Sequence, residues 1–118
     1  MPKVSYRLPD SLLSQVKRFS TVMYGPKGKS KWICEAIRDL VSTDPGLTKV
    51  GLGEDLSRND ALDIVNVDEA TWDLFEQACH VVRRQDPLFD GVRSAVIRAA
   101  IRHRIDKQAI TEFEGLKS

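Results

Sequence analysis

The stretch YGPKGKSKW, residues 24–32, has residue types that handle phosphate, and Gly28-Lys29-Ser30 matches the tail of the nucleotide-loop pattern G-x-x-x-x-G-K-[ST]. The pattern fails at its head, because the leading glycine would fall at position 23, which is Met23. Such a loop also follows a buried strand, so that its amides can wrap a β-phosphate, whereas DSLLSQVKRFSTVM before it has helical periodicity. A nucleotide cradle is therefore rejected. What remains is a helix start, where unpaired amides and the positive dipole end suit an anion. Lys27, Lys29 and Lys31 add charge around it.

No other constellation suggests a reaction. Cys34 and Cys79 match no metal or redox spacing and read as small, buried or half-buried helix residues. His80 and His103 lack ligand partners at usable spacing. There is no convergent Ser/His/Asp, Cys/His or carboxylate–metal set, so neither an enzyme nor a cofactor or metal is expected.

The chain has 118 residues, 42% hydrophobic and 30% charged, which is the profile of one ordinary folded domain. No apolar run is long enough to span a bilayer and the N-terminus lacks a signal-peptide core, so no membrane insertion and a cytoplasmic location are expected. Net charge is only +1, but its distribution is uneven. Residues 1–40 carry eight Lys/Arg against three Asp/Glu, residues 61–80 carry five acids and no Lys or Arg, and residues 81–105 carry six Arg against two Asp. Two basic segments could form one basic face, although charge alone does not separate that from a scattered solvated surface.

The elements that would carry these residues come twice. KVSYRL alternates, with Val4, Tyr6 and Leu8 on one side and Lys3, Ser5 and Arg7 on the other, as a strand with one apolar face does. Pro9 and Asp10 suit a helix start, and Leu12, Leu13, Val16, Phe19 and Met23 form an apolar stripe. GPKG breaks that helix, and Ser30 is an N-cap candidate for a second, with Ile33, Ala36, Ile37, Leu40 and Val41 inside. The second half repeats the order. LDIVNV is strand-like, Asp68 can cap a helix carrying Trp72, Phe75, Cys79 and Val82, and Pro87 and Gly91 mark a turn. Ser94 then caps a helix with Ile97, Ala100, Ile101 and Ile105. An offset of 59 aligns Leu8 with Val67 and Val16 with Phe75; after the longer second turn an offset of 64 aligns Ser30 with Ser94 and Ile37 with Ile101.

One strand and two helices cannot bury a core alone, and a lone strand leaves both edges unpaired. Pairing the two strands antiparallel over four interlocked helices solves both problems. The expected fold is mainly α with a short two-stranded antiparallel ribbon, in the order β-α-α-β-α-α, forming an intramolecular pseudodimer. Its first repeat is residues 1–42, its linker 43–60, its second repeat 61–105 and its tail 106–118. At roughly 3.3 Å per extended residue the linker can cross a small domain.

This order, with YRLPDSLL leading into a helix and GKS opening the next, resembles the ribbon-helix-helix DNA-binding superfamily of Arc and MetJ type. Two copies in one chain resemble the relaxosome accessory proteins of conjugative plasmids. The resemblance covers residues 3–42 strongly and 61–105 moderately. It implies double-stranded DNA as partner, read in the major groove by the outward side chains of the ribbon. Those are Lys3, Ser5 and Arg7, and in the second copy Ile64 and Asn66, beside Leu62. The residue types fit, since Arg or Lys donates to guanine, Asn pairs with adenine and an aliphatic meets the thymine methyl. The resemblance also implies phosphate clamps at the helix starts: Lys29 and Ser30 with Lys27 and Lys31, and Arg93 with Ser94.

The second strand has two possible pleats. The aligned one turns Asp63 inward beside Val65 and Val67; a one-residue shift buries Leu62, Ile64 and Asn66 and exposes both valines. Transcription regulation and an accessory role in DNA processing on a plasmid or mobile element both follow from the resemblance. Self-association on adjacent sites or a second DNA-processing protein is a further partner. The competing reading is an antitoxin or protein-interaction module, with Leu62 and Ile64 as its apolar patch and Ile110 and Phe113 in the tail as contacts.

Overall fold

The computed structural model of the chain describes residues 2–54 and 58–117, those from 112 onward by backbone alone, so the Phe113 side chain lies outside the described residues. The elements run β1 (Lys3–Leu8), α1 (Asp10–Tyr24), α2 (Lys29–Thr43), β2 (Ala61–Asn66), α3 (Glu69–Gln85) and α4 (Val92–Lys117). The fold is mainly helical, with one two-stranded antiparallel sheet in the order β-α-α-β-α-α.

The two strands pair within the chain. Lys3 lies opposite Asn66, Ser5 opposite Ile64 and Arg7 opposite Leu62. Alternation does its expected work in β1, where Val4, Tyr6 and Leu8 are buried and the residues between them exposed. In β2 the inward valine, Val65, continues into buried Val67 just past the strand, whose N–H donates to the Pro2 carbonyl at 2.8 Å.

Helices α2 and α4 pack on each other under this sheet. Trp32, Ile33, Ile37 and Leu40 from α2 meet Ile97 and Ile101 from α4 in one core with Val16 of α1 and Phe75 of α3. Burying such side chains stabilises by roughly 1.5–3 kcal/mol each, which is why two units that are too small alone can share one interior.

The helix starts differ from the sequence expectation. Pro9 sits one position earlier than N1, as the N-cap of α1, and has no side chain with which to cap; Asp60, near the end of the linker, supplies one by accepting from Asp10 N at 3.1 Å. Asp68 does cap α3, accepting from Thr71 N at 2.8 Å, and hydrogen bonding from Thr71 holds its carboxyl below the usual value. Ser30 is not an N-cap: Gly28 is, and Ser30 stands inside the first turn of α2. Ser94 is likewise inside α4, whose Ala95 N–H bonds to Gly91 O at 3.0 Å. Both serines have other partners. Helix α4 also runs on past Ile105 to Lys117, through the segment read as a tail.

Two pairs of the positions that the repeat aligns meet each other. Ser5 faces Ile64 across the sheet, an offset of 59, and Asp39 of α2 faces His103 of α4 at 3.1 Å, an offset of 64.

Candidate nucleic-acid interface

The outer face of the sheet carries Lys3, Ser5, Arg7, Leu62, Ile64 and Asn66, all exposed. The pleat of β2 is therefore the aligned one. Its apparent cost, an inward carboxylate, is met locally. Asp63 Oδ1 accepts from Lys29 Nζ at 2.7 Å, and Oδ2 accepts from the Tyr6 hydroxyl at 2.8 Å. Burial, then the bond to Asp63, pushes the Tyr6 phenol well above its ordinary pKa, so it stays a donor. Lys29 is thereby turned into the fold, with its ammonium engaged by Asp63.

That arrangement makes a testable asymmetry. Lys29→Met leaves the Asp63 carboxylate, with 14% of its side chain exposed, without its counter-charge, and is expected to lower stability by about 2 kcal/mol. Adding Asp63→Asn removes the stranded charge while keeping an acceptor for the Tyr6 hydroxyl and should restore most of it, and urea unfolding of the single and double variants measures both. An equal loss in both variants would mean that the pair does not compensate the carboxylate.

The C-terminal end of each strand is held by a helix. At Arg7 the N–H donates to Ser94 Oγ at 3.1 Å and the carbonyl accepts from Arg98 Nη1 at 2.8 Å. At Asn66 the N–H donates to Ser30 Oγ at 3.1 Å and the carbonyl accepts from Cys34 Sγ at 3.4 Å. The repeat aligns Arg7 with Asn66, Ser30 with Ser94 and Cys34 with Arg98, so the same latch is built twice. It places the start of α4 beside Arg7 and the start of α2 beside Asn66. Sequence reasoning missed Cys34 and Arg98 in this role. Their signal was the four-residue step from each serine, which puts latch residues on one helix face.

Among the remaining site residues, Lys27 is exposed in the turn between α1 and α2, and Lys31 lies 4.4 Å above the Tyr24 ring. Arg93 is half exposed, bridging to Glu76 at 3.1 Å with its guanidinium 5.7 Å from the Trp72 ring. Ser30 and Ser94 use an oxygen lone pair in the latch, and among the described residues no acceptor takes either hydroxyl hydrogen. The amides of Lys29, Ser30 and Lys31 precede the first intrahelical bond of α2, from Trp32 N to Gly28 O at 3.0 Å. Lys3, Arg7 and Lys27 make no side-chain bond or ion pair with the described residues.

Grooves of about 410 and 430 Å3 run along α4, and neither is lined by the sheet. Among the described residues no cluster of His, Cys, Asp and Glu could hold a metal ion, and no helix is long and apolar enough to cross a membrane. No protein-family model, curated protein or solved structure matches the chain.

Proposed function

We propose that the chain is a sequence-specific double-stranded DNA-binding protein of the ribbon-helix-helix kind, folded as an intramolecular pseudodimer. The observation that carries this reading is the paired latch. It sets the exposed ribbon between two helix starts, one at each end, the layout that base reading by side chains and phosphate binding by helix amides would use. Phosphate contacts fix orientation and ribbon side chains select sequence, a division that suits this layout.

The two halves of the ribbon differ chemically. Arg7 and Lys3 offer donors for guanine O6 and N7; Asn66 offers a bidentate partner for adenine, and Leu62 and Ile64 an apolar contact for the thymine methyl. The preferred site accordingly has unlike halves. Phosphate binding draws on Lys27, Lys31, Ser30, Ser94 and Arg93 together with the free amides of α2; Lys29 acts mainly by neutralising Asp63. Regulation of transcription and assistance to DNA processing on a mobile element share this chemistry, and the tandem resemblance favours the latter context.

The test is selection from random duplex DNA near physiological salt, followed by sequencing and by titration at several salt concentrations. The expected result is an enriched motif with unlike halves and an affinity that falls steeply with salt. A palindrome would mean pairing between chains. Absence of any enriched motif would overturn the reading in favour of a protein partner. The exposed side chains of Leu62 and Ile64, 60% and 52% accessible, are the observation behind that second reading, in which the ribbon face is an apolar docking patch.

A further inference from the structure

Among the described residues, the linker is tied to the Arg7 end of the ribbon. Glu54 is 6% exposed and Arg98 4% exposed, and they form a bidentate pair: Arg98 Nε donates to Oε2 at 2.7 Å and Nη2 to Oε1 at 3.0 Å. Arg102 adds a further bond to Oε2 from a more exposed position. Burial opposes ionisation of Glu54, but the two guanidinium groups outweigh it and hold its carboxyl below the ordinary value. The remaining Arg98 nitrogen, Nη1, is the one bonded to the Arg7 carbonyl. Six residues on, Asp60 bonds the amide of Asp10. The linker therefore braces the corner Arg7–Asp10 from both sides.

We propose that Glu54 is a positioning residue for base reading by Arg7, an inference that rests on the DNA-binding function proposed above. A guanidinium is a rigid plane, so locking Nε and Nη2 on one carboxylate fixes the direction of Nη1. That aims the Arg7 carbonyl, and with the Ser94 bond to Arg7 N it fixes the backbone from which the Arg7 side chain projects into solvent. At the aligned position of the other strand a thiol does this work, and a thiol is a weak donor. The same corner thus closes without a buried charge. Buried ion pairs are weak evidence for stability, which leaves conformational definition at the Arg7 end as the role of this one. The consequence is a remote specificity determinant in a linker whose carboxylate is buried away from the ribbon face.

The test repeats the random-duplex selection with wild-type protein, Arg7→Ala and Glu54→Gln, with thermal melts of each. Arg7→Ala identifies the base pairs that Arg7 reads. Glu54→Gln should reduce preference at those same base pairs by about tenfold while leaving preference at the Asn66 end within about twofold, and leave affinity for random duplex unchanged. Should Glu54→Gln not fold at the assay temperature, Glu54→Asp, which keeps the counter-charge but shortens its reach to Arg98, should give the same one-ended loss. An unaltered motif in a folded variant, equal losses at both ends, or failure of both variants to fold would overturn the inference. A wild-type protein that enriches no motif would overturn the DNA reading itself, a distinguishable result.

Discussion

Gly28→Ala is expected to destabilise the protein by about 3 kcal/mol, lowering the melting temperature by about 10 °C. The cause is contact, not torsion. Gly28 has φ −93° and ψ 6°, which any residue can adopt, but a Cβ built there would lie 2.2 Å from the Tyr24 Cβ and 3.3 Å from the Tyr24 Cα. Those atoms sit on or next to the end of α1, so no flexible side-chain tip can swing away. Two other glycines separate the alternatives. Gly25 has φ +82° and ψ −178°, a combination open essentially only to glycine, with nothing within 4 Å of its Cβ position, so Gly25→Ala meets a backbone penalty of about 1–3 kcal/mol and no clash. Gly46, with ordinary φ and its nearest neighbour at 3.7 Å, should tolerate alanine within a few tenths of a kcal/mol. Thermal or urea unfolding of the three variants should rank them in that order. Equal losses at positions 28 and 25 would show that the turn relaxes around the added methyl. The turn matters because it brings the start of α2 to Asn66.

Arg7→Ala should weaken binding to the selected duplex by about 10- to 100-fold while barely changing affinity for random duplex. The side chain is exposed on the outer ribbon face and bonds to no described residue, and its backbone is held by Ser94 and Arg98, so truncation would remove the proposed reading group without disturbing the fold. Lys27→Ala is the matched control. A lysine placed to meet phosphate should lose affinity for all sequences alike and reduce the salt slope by about one. Lys29 would be a poor control because its ammonium sits on Asp63. Competition binding at two salt concentrations distinguishes the two variants. Equal losses of cognate and random affinity for Arg7→Ala would contradict base reading by the ribbon.

The periodic signals were legible because they are local. Val4, Tyr6 and Leu8 announce a strand at period two, and Ile33, Ala36, Ile37 and Leu40 announce a buried helix face; all seven are buried. The element order followed from reading the same pattern twice. What depends on long-range pairing was not legible. Asp63 looked misplaced because its partners are 34 and 57 residues away. Ser30 and Ser94 were read as caps because a serine near a helix start usually is one, and the local rule lost to strand amides arriving from the other half of the chain. Arg98 stands among apolar neighbours in α4, with no sequence cue that Glu54 would meet it inside.

The facing of Asp39 and His103 also bears on how such a chain can arise and what it can no longer be. In a symmetric dimer made of one repeated half, the residue at this crossing confronts its own copy, acid against acid or imidazole against imidazole. Within a single polypeptide the two positions are free to diverge, and here they carry a carboxylate and an imidazole 3.1 Å apart, with Lys107 also bonded to the carboxylate at 3.1 Å. The same freedom put serine against isoleucine at the centre of the sheet. Pairing within one chain thus permits complementarity at a crossing where a symmetric dimer would permit only self-recognition.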